Sequence, residues 1–227
     1  MTSSFSQLPG RHERHYRRRL GNPLFPGGPR TADEAELLEM QRLDHEELLA
    51  FLGELRATVQ RAVDLPPNEG SEAVLAIKEQ LDRLYETSAG LAEDHAGNQA
   101  AIRELLEVIM LSVERGAGGD PQALAELAQE RAARQAHFEL LASPLVADLL
   151  HPQSCIPAAD LAPSLLTADE ADLAAALQLF DLEQLSQLYA DARDRLATVA
   201  DPPPSAAARL DQIAARLVQL RRTVPLN

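Results

Sequence analysis

Apolar residues recur every three or four positions along most of the chain, which is the spacing of an amphipathic α-helix. The first run ends at two prolines, 66 and 67, where a helix cannot continue. The sequence Thr-Ala-Asp-Glu at 31–34 predicts its start, with Thr31 as N-cap and Glu34 completing a capping box. The predicted buried stripe of this helix consists of Leu38, Leu48, Leu52, Leu55, Val59 and Val63.

Two more apolar stripes lie between residues 71 and 115, with Gly97 and Asn98 between them. A tight turn at this pair would give two helices, whereas a kink would leave one long helix. Both interpretations are open at this point.

Further helix starts are marked by residues whose side chains accept hydrogen bonds from first-turn amides. Asp120 precedes Pro121, Asp181 has Gln184 three residues later, and Thr-Ala-Asp-Glu recurs at 167–170. A last amphipathic helix follows three prolines at 202–204. The pattern predicts an all-α protein, a bundle of six or seven helices without strands.

The composition changes along the chain and suggests its division. We expect residues 33–150 to form the main helical bundle and residues 151–163 to form a Pro-rich, non-helical connection. Residues 164–222 are expected to form C-terminal helices that either pack on the bundle or make a small subdomain.

Residues 1–32 differ from the rest because they hold six arginines against one glutamate, together with four prolines and four glycines. We therefore predict a flexible, disordered basic arm, and expect the body to fold without residues 1–30. Its candidate partner-binding residues are Arg11, Arg14, Tyr16, Arg17, Arg18 and Arg19. The arm could be inert, contact another protein or rest on its own body. Nucleic acid is disfavoured as a partner, because the other residues include 15 basic and 34 acidic side chains and would repel a phosphate backbone.

The chain has 227 residues, a formal net charge of -14, 45% hydrophobic residues and one cysteine. These values exclude wholesale disorder, an internal disulfide framework and a multi-cysteine metal site. The longest nearly unbroken apolar stretch, 105–113, is interrupted by Glu107 and Ser112 and is too short for a transmembrane segment, and no secretory signal is expected at the N-terminus. We expect a cytoplasmic protein.

Two histidines are the strongest candidates for a polar core. Helical spacing places Gln41 and His45 near the buried centre of the first helix, and His95 continues the stripe of the next one. With Asp94 beside them, His45 and His95 are weak candidates for metal ligands. The Glu-x-x-His pairs of di-metal bundles are absent, however, so the favoured interpretation is buried, hydrogen-bonded histidines with no metal and no cofactor.

The remaining motifs point to no catalytic residue. Cys155 lies four residues after His151 in a loop bracketed by prolines, but no third group is evident to orient the pair, so a plain loop thiol is predicted. The glycines at 116–119 follow a helix and lack the Gly-Lys-Ser/Thr ending of a phosphate loop. They are interpreted as a helix stop.

Residues 44–52, Asp-His-Glu-Glu-Leu-Leu-Ala-Phe-Leu, resemble the Asp-His-containing helix of the chaperones that mature bacterial molybdoenzymes. That family is all-helical, acidic and cytoplasmic. The resemblance covers nine residues and does not identify the chain as a member, but it is compatible with a helical chaperone.

The sequence therefore favours a non-enzymatic helical protein that acts through protein–protein contacts, as an adaptor, chaperone or assembly factor. Its protein partner is unidentified, and a homodimer is possible. The alternative is a helical bundle whose His/carboxylate core around Gln41, His45, Asp94 and His95 binds a metal or a small ligand and could be catalytic.

Overall fold

A computed structural model describes residues 9–65, 71–91, 95–116 and 119–223. All regular structure in these residues is helical, which confirms the all-α prediction. The helices are α1 (Arg11–Arg19), α2 (Glu34–Val63), α3 (Ser71–Ser88), α4 (His95–Gly116), α5 (Pro121–Leu140), α6 (Pro144–Leu150), α7 (Ala158–Thr167), α8 (Glu170–Ala176), α9 (Leu182–Thr198) and α10 (Pro204–Thr223).

The predicted six or seven helices are too few, since the described residues contain ten. α1 lies in the segment predicted to be a disordered arm. α6 is separate from α5 because Ser143 caps a new helix, accepting a hydrogen bond from the Val146 amide, and Pro144 occupies its first turn. α7 begins at Ala158, inside the predicted non-helical connection.

The region 71–115 contains two helices, because α3 ends at Ser88 and α4 starts at His95. Gly97 and Asn98 lie inside α4, so the break between the two helices precedes this pair. α3 and α4 pack against each other.

Two of the predicted N-caps are confirmed and two are wrong. Asp120 and Asp181 cap α5 and α9, and Gln184 completes a capping box with Asp181. In both Thr-Ala-Asp-Glu sequences the cap is the aspartate and not the threonine. Asp33 accepts hydrogen bonds from the first-turn amides of α2, and Asp169 does the same for α8.

The chain forms two compact units. Among the described residues, unit 1 comprises 9–11 and 41–142, and unit 2 comprises 12–40 and 143–223. These limits differ from the predicted boundaries, because the segment expected to be an arm is divided between two folded units.

Unit 1 is built from long helices with an aromatic pair at its centre. Tyr85 of α3 stacks on Phe138 of α5, with 3.6 Å between ring centroids. Arg103 of α4 lies over the Tyr85 ring and donates a 2.6 Å hydrogen bond to its hydroxyl. These contacts join three helices through one tyrosine.

Unit 2 has an apolar core formed by helices from the second half of the chain. α7, α9 and α10 pack against one another, and α6 packs against α8. Leu165, Leu173, Leu185 and Ile213 are completely buried, and so is Leu24 from the loop after α1. No helix in the described parts of the chain combines the length and hydropathy needed to cross a bilayer.

The core of unit 2 predicts a large loss of stability when a buried side chain of α7 is shortened. Leu165→Ala should lower the free energy of unfolding by about 2–5 kcal/mol, because a fully buried leucine leaves a cavity when it is shortened. Chemical denaturation followed by circular dichroism measures this change.

The matched control is Leu150→Ala in α6, where the leucine is exposed. We expect a loss below about 1 kcal/mol there. Equal losses at the two positions would contradict the described core.

Candidate functional site

Residues 11–19 form a helix whose side chains are largely buried, so the prediction of a flexible basic arm is wrong. His15 and Tyr16 are each 6% exposed. The prolines and glycines that suggested disorder lie outside this stretch. Glu13 in the first turn and Arg17, Arg18 and Arg19 in the last also complement the helix dipole.

Buried carboxylates pair with the cations of α1 within unit 2. Arg14 donates a 2.6 Å hydrogen bond to Asp148 of α6, whose side chain is fully buried. His15 Nε2 lies 3.1 Å from Asp160 Oδ2 of α7, and Arg19 Nε lies 3.2 Å from the same oxygen. We call the six residues Arg14, His15, Arg18, Arg19, Asp148 and Asp160 the α1 cluster.

Arg18 completes this cluster through electrostatics. Burial lowers the pKa of its guanidinium, whereas the Asp148 carboxylate raises it. Arg14 lowers it, and the thiolate of Cys155 raises it. Since arginine stays protonated in proteins, Arg18 adds a positive charge to the cluster.

The other predicted arm residues also have partners. The Tyr16 hydroxyl accepts a 2.9 Å hydrogen bond from the Asp33 amide. Arg17 pairs with Glu13 one turn earlier. In unit 1, Arg11 Nε donates a 2.7 Å hydrogen bond to Glu47. A role of the six predicted arm residues, Arg11, Arg14, Tyr16, Arg17, Arg18 and Arg19, in binding a partner stays a prediction.

A cavity of about 680 Å³ in unit 2 lies beside the α1 cluster. One face of α1, at positions three and four apart, supplies four of its lining residues: His12, His15, Tyr16 and Arg19. The start of α2 contributes Glu36, Glu39 and Met40, and the loop before α7 contributes Cys155 and Pro157. The size suits a small organic ligand.

The surroundings of His15 favour one protonation state and one tautomer of its imidazole. Burial lowers its pKa, the Asp160 carboxylate opposes that shift, and Arg18 and Arg19 reinforce it. The neutral ring at pH 7 carries its proton on Nε2, because this nitrogen faces the carboxylate. Nδ1 is buried and has no hydrogen-bond partner in the described part of the chain.

The predicted polar core is not assembled from Gln41 and His45, which are both exposed on α2. The buried positions of that helix are Asp44, Leu48, Phe51 and Thr58. Leu48 was predicted correctly, whereas Phe51 and Thr58 each lie one residue before a predicted position, and His45 lies on the exposed side of the helix. Asp94 and the side chain of His95 lie outside the described residues.

Cys155 lies beside the cavity, but its predicted neighbour His151 does not line it. His151 Nδ1 instead accepts a hydrogen bond from the Gln153 amide. Sequence reasoning missed the pair His15 and Asp160. The absence of proline and glycine from residues 11–19 was the signal that could have shown α1, but nothing in the sequence marks Asp160 as its partner.

No protein-family model, curated protein or solved structure matches the chain. Its function is therefore inferred from its own residues.

The α1 cluster predicts unequal roles for two arginines of one helix. Arg14→Met should lower the free energy of unfolding by about 2–3 kcal/mol, because it removes a cation from a fully buried carboxylate. Arg17→Met is the matched control, since its side chain is 55% exposed. It should cost less than about 1 kcal/mol. Similar losses for both variants would show that Arg14 is not buried against Asp148.

The state of His15 predicts a pH dependence of stability. Because its pKa is lowered in the folded protein, the unfolded chain binds this proton more readily. The wild-type protein should therefore lose stability relative to His15→Gln as the pH falls below about 6.5. Unfolding of both proteins between pH 7.5 and 5.5 measures the difference, and a constant difference would contradict the assigned state.

Proposed function

We propose that the protein is non-enzymatic and acts through protein–protein contacts, as an adaptor, chaperone or assembly factor. The observation that carries the proposal is an apolar stripe left exposed on α2. Within unit 1, Leu49 is 56% exposed, Leu52 41% and Val63 73%.

Leu49, Leu52 and Val63 belong to one continuous line of residues along the helix. Successive members are three or four residues apart and therefore share a face. We call this line the α2 seam, and its members are His45, Leu49, Leu52, Arg56, Val59 and Val63. It is offset by one residue from the buried line of Asp44, Leu48 and Phe51. α2 thus has an apolar surface beyond the one that it buries.

A helix face that exposes three large apolar side chains is a typical contact surface. Side chains three, four and seven residues apart are the anchors by which one amphipathic helix packs along another. Burying a leucine contributes about 1.5–3 kcal/mol, so Leu49 and Leu52 together could anchor a partner. His45 and Arg56 add hydrogen-bond donors along the same line, which suits an acidic amphipathic partner helix.

The α2 seam supports partner binding even though residues 11–19 form a packed helix and not a free arm. Four of the five arginines of α1, all except Arg18, form ion pairs with carboxylates, which weakens both a free basic arm and phosphate binding as explanations. The exposed apolar residues of α2, in contrast, can contact a partner without first breaking an ion pair.

A photo-crosslinking amino acid at Leu52 tests the proposal in cells that naturally produce the protein. We expect a specific adduct, whose mass identifies either a second copy or another protein. Leu49→Lys in the same chain should abolish it, because a charge within the seam opposes apolar packing.

The control is the same crosslinker at Ala57, an exposed position of α2 outside the seam. Ala50→Lys is the matched charge control, and it should leave the adduct from position 52 intact. Equal adducts from positions 52 and 57, or none from position 52, would contradict the proposal.

A further inference from the structure

The spacing of the α2 seam is the same when it is read in either direction. Successive members are separated alternately by four and by three residues, and position 54 lies at the midpoint of the line. Two antiparallel copies of α2 therefore bring seam residues level in layers. These layers join His45 to Val63 of the other copy, Leu49 to Val59, and Leu52 to Arg56.

We propose that the partner of the α2 seam is a second copy of this chain, and that the two helices pack antiparallel with the two-fold axis at the level of position 54. This inference rests on the proposed function, because it names the partner of the same surface. A two-fold interface requires a surface that is complementary to itself. The side chains of the seam and the charges along α2 both meet this requirement.

Each layer of the antiparallel pair contains at least one large aliphatic side chain. Leu49 faces Val59 of the second copy, and Leu52 faces the aliphatic stem of Arg56, whose charged end can extend into water. A parallel pair in the same register would instead place the two Arg56 side chains against each other. Because like charges repel more strongly where water is removed, the seam favours the antiparallel direction.

The charges of α2 change sign at the midpoint of the seam. Residues 45–53 include Glu46 and Glu47 but no lysine or arginine, whereas residues 55–63 include Arg56 and Arg61 but no acid. An antiparallel pair sets the acidic half of one copy beside the basic half of the other. Packed helices lie about 8–10 Å apart, which is within about one Debye length. A second copy therefore matches both halves of the seam in charge.

The two arginines of the basic half are available for this attraction. Arg56 and Arg61 form no ion pair within the part of the chain that the structure describes. Glu46 pairs with Arg42 one turn earlier, in an exposed contact that contributes little to stability, and Glu47 pairs within unit 1. The helix as a whole carries seven acidic and three basic side chains, so α2 is itself an acidic amphipathic helix.

Sedimentation equilibrium of the purified full chain tests whether the partner is a second copy. We expect a dimer with a dissociation constant in the micromolar range or below. Leu49→Lys should raise this constant at least about a hundredfold, because each dimer then places two added charges in the seam. Ala50→Lys is the matched control at an exposed position outside the seam, and it should change the constant by less than about threefold.

Cysteine cross-linking tests the antiparallel register, in a chain where Cys155→Ser removes the natural thiol. His45→Cys combined with Val63→Cys keeps both leucines and places the two thiols in one layer of the pair. A short bis-maleimide should therefore link two chains that carry both substitutions. Neither single variant should be linked, because equivalent positions at the ends of the seam lie about 27 Å apart in the antiparallel pair.

The matched control is Ala50→Cys combined with Ala57→Cys. These two positions lie at nearly equal distances from the midpoint of the seam but outside it, so the same reagent should not link them. Linked chains from this control, in yields equal to those from the seam pair, would overturn the proposed packing.

Further outcomes separate this inference from the proposed function. A monomer at every concentration would overturn the inference, and so would linked chains from His45→Cys alone, which require a parallel pair. Equal effects of Leu49→Lys and Ala50→Lys would overturn it as well. The proposed function would survive these results if the cellular adduct from position 52 contained another protein. The absence of any adduct from position 52 would overturn both.

Discussion

Unit 2 depends on the pairing of α1 cations with two buried carboxylates. Asp148 and Asp160 belong to α6 and α7 and have almost no exposed surface. A buried carboxylate is tolerated only when cations or hydrogen bonds replace its lost water. α1 supplies these cations and hydrogen bonds through Arg14, His15 and Arg19. One short helix therefore pairs with the buried carboxylates of two others.

The same pairing sets the chemistry of the adjacent cavity. The bond to Asp160 fixes the tautomer of His15, and burial keeps the ring neutral near pH 7. The α1 cluster is thus a structural requirement of unit 2 that also contributes His15 and Arg19 to the wall of the cavity. In unit 1, by contrast, large apolar side chains are exposed, among them Leu49, Leu52 and Val63 of the α2 seam.

Much of the fold could be predicted from sequence, because helical periodicity and capping aspartates act locally. Asp120 and Asp181 were predicted correctly for this reason. α1 was missed because the prolines and glycines around it outweighed the nine residues without either. The burial of His15 depends on Asp160, 145 residues away, and no local pattern encodes such a contact. His45 was misplaced because the apolar stripe of α2 is broader than its buried part.

Amide hydrogen exchange of α1 tests the central claim most directly, since it reports whether residues 14–19 are held in a packed helix. The account predicts strong protection in α1, comparable to that of α7, and its loss in Arg14→Met. Exchange of these amides at the rate of an unstructured peptide in the wild-type protein would contradict it.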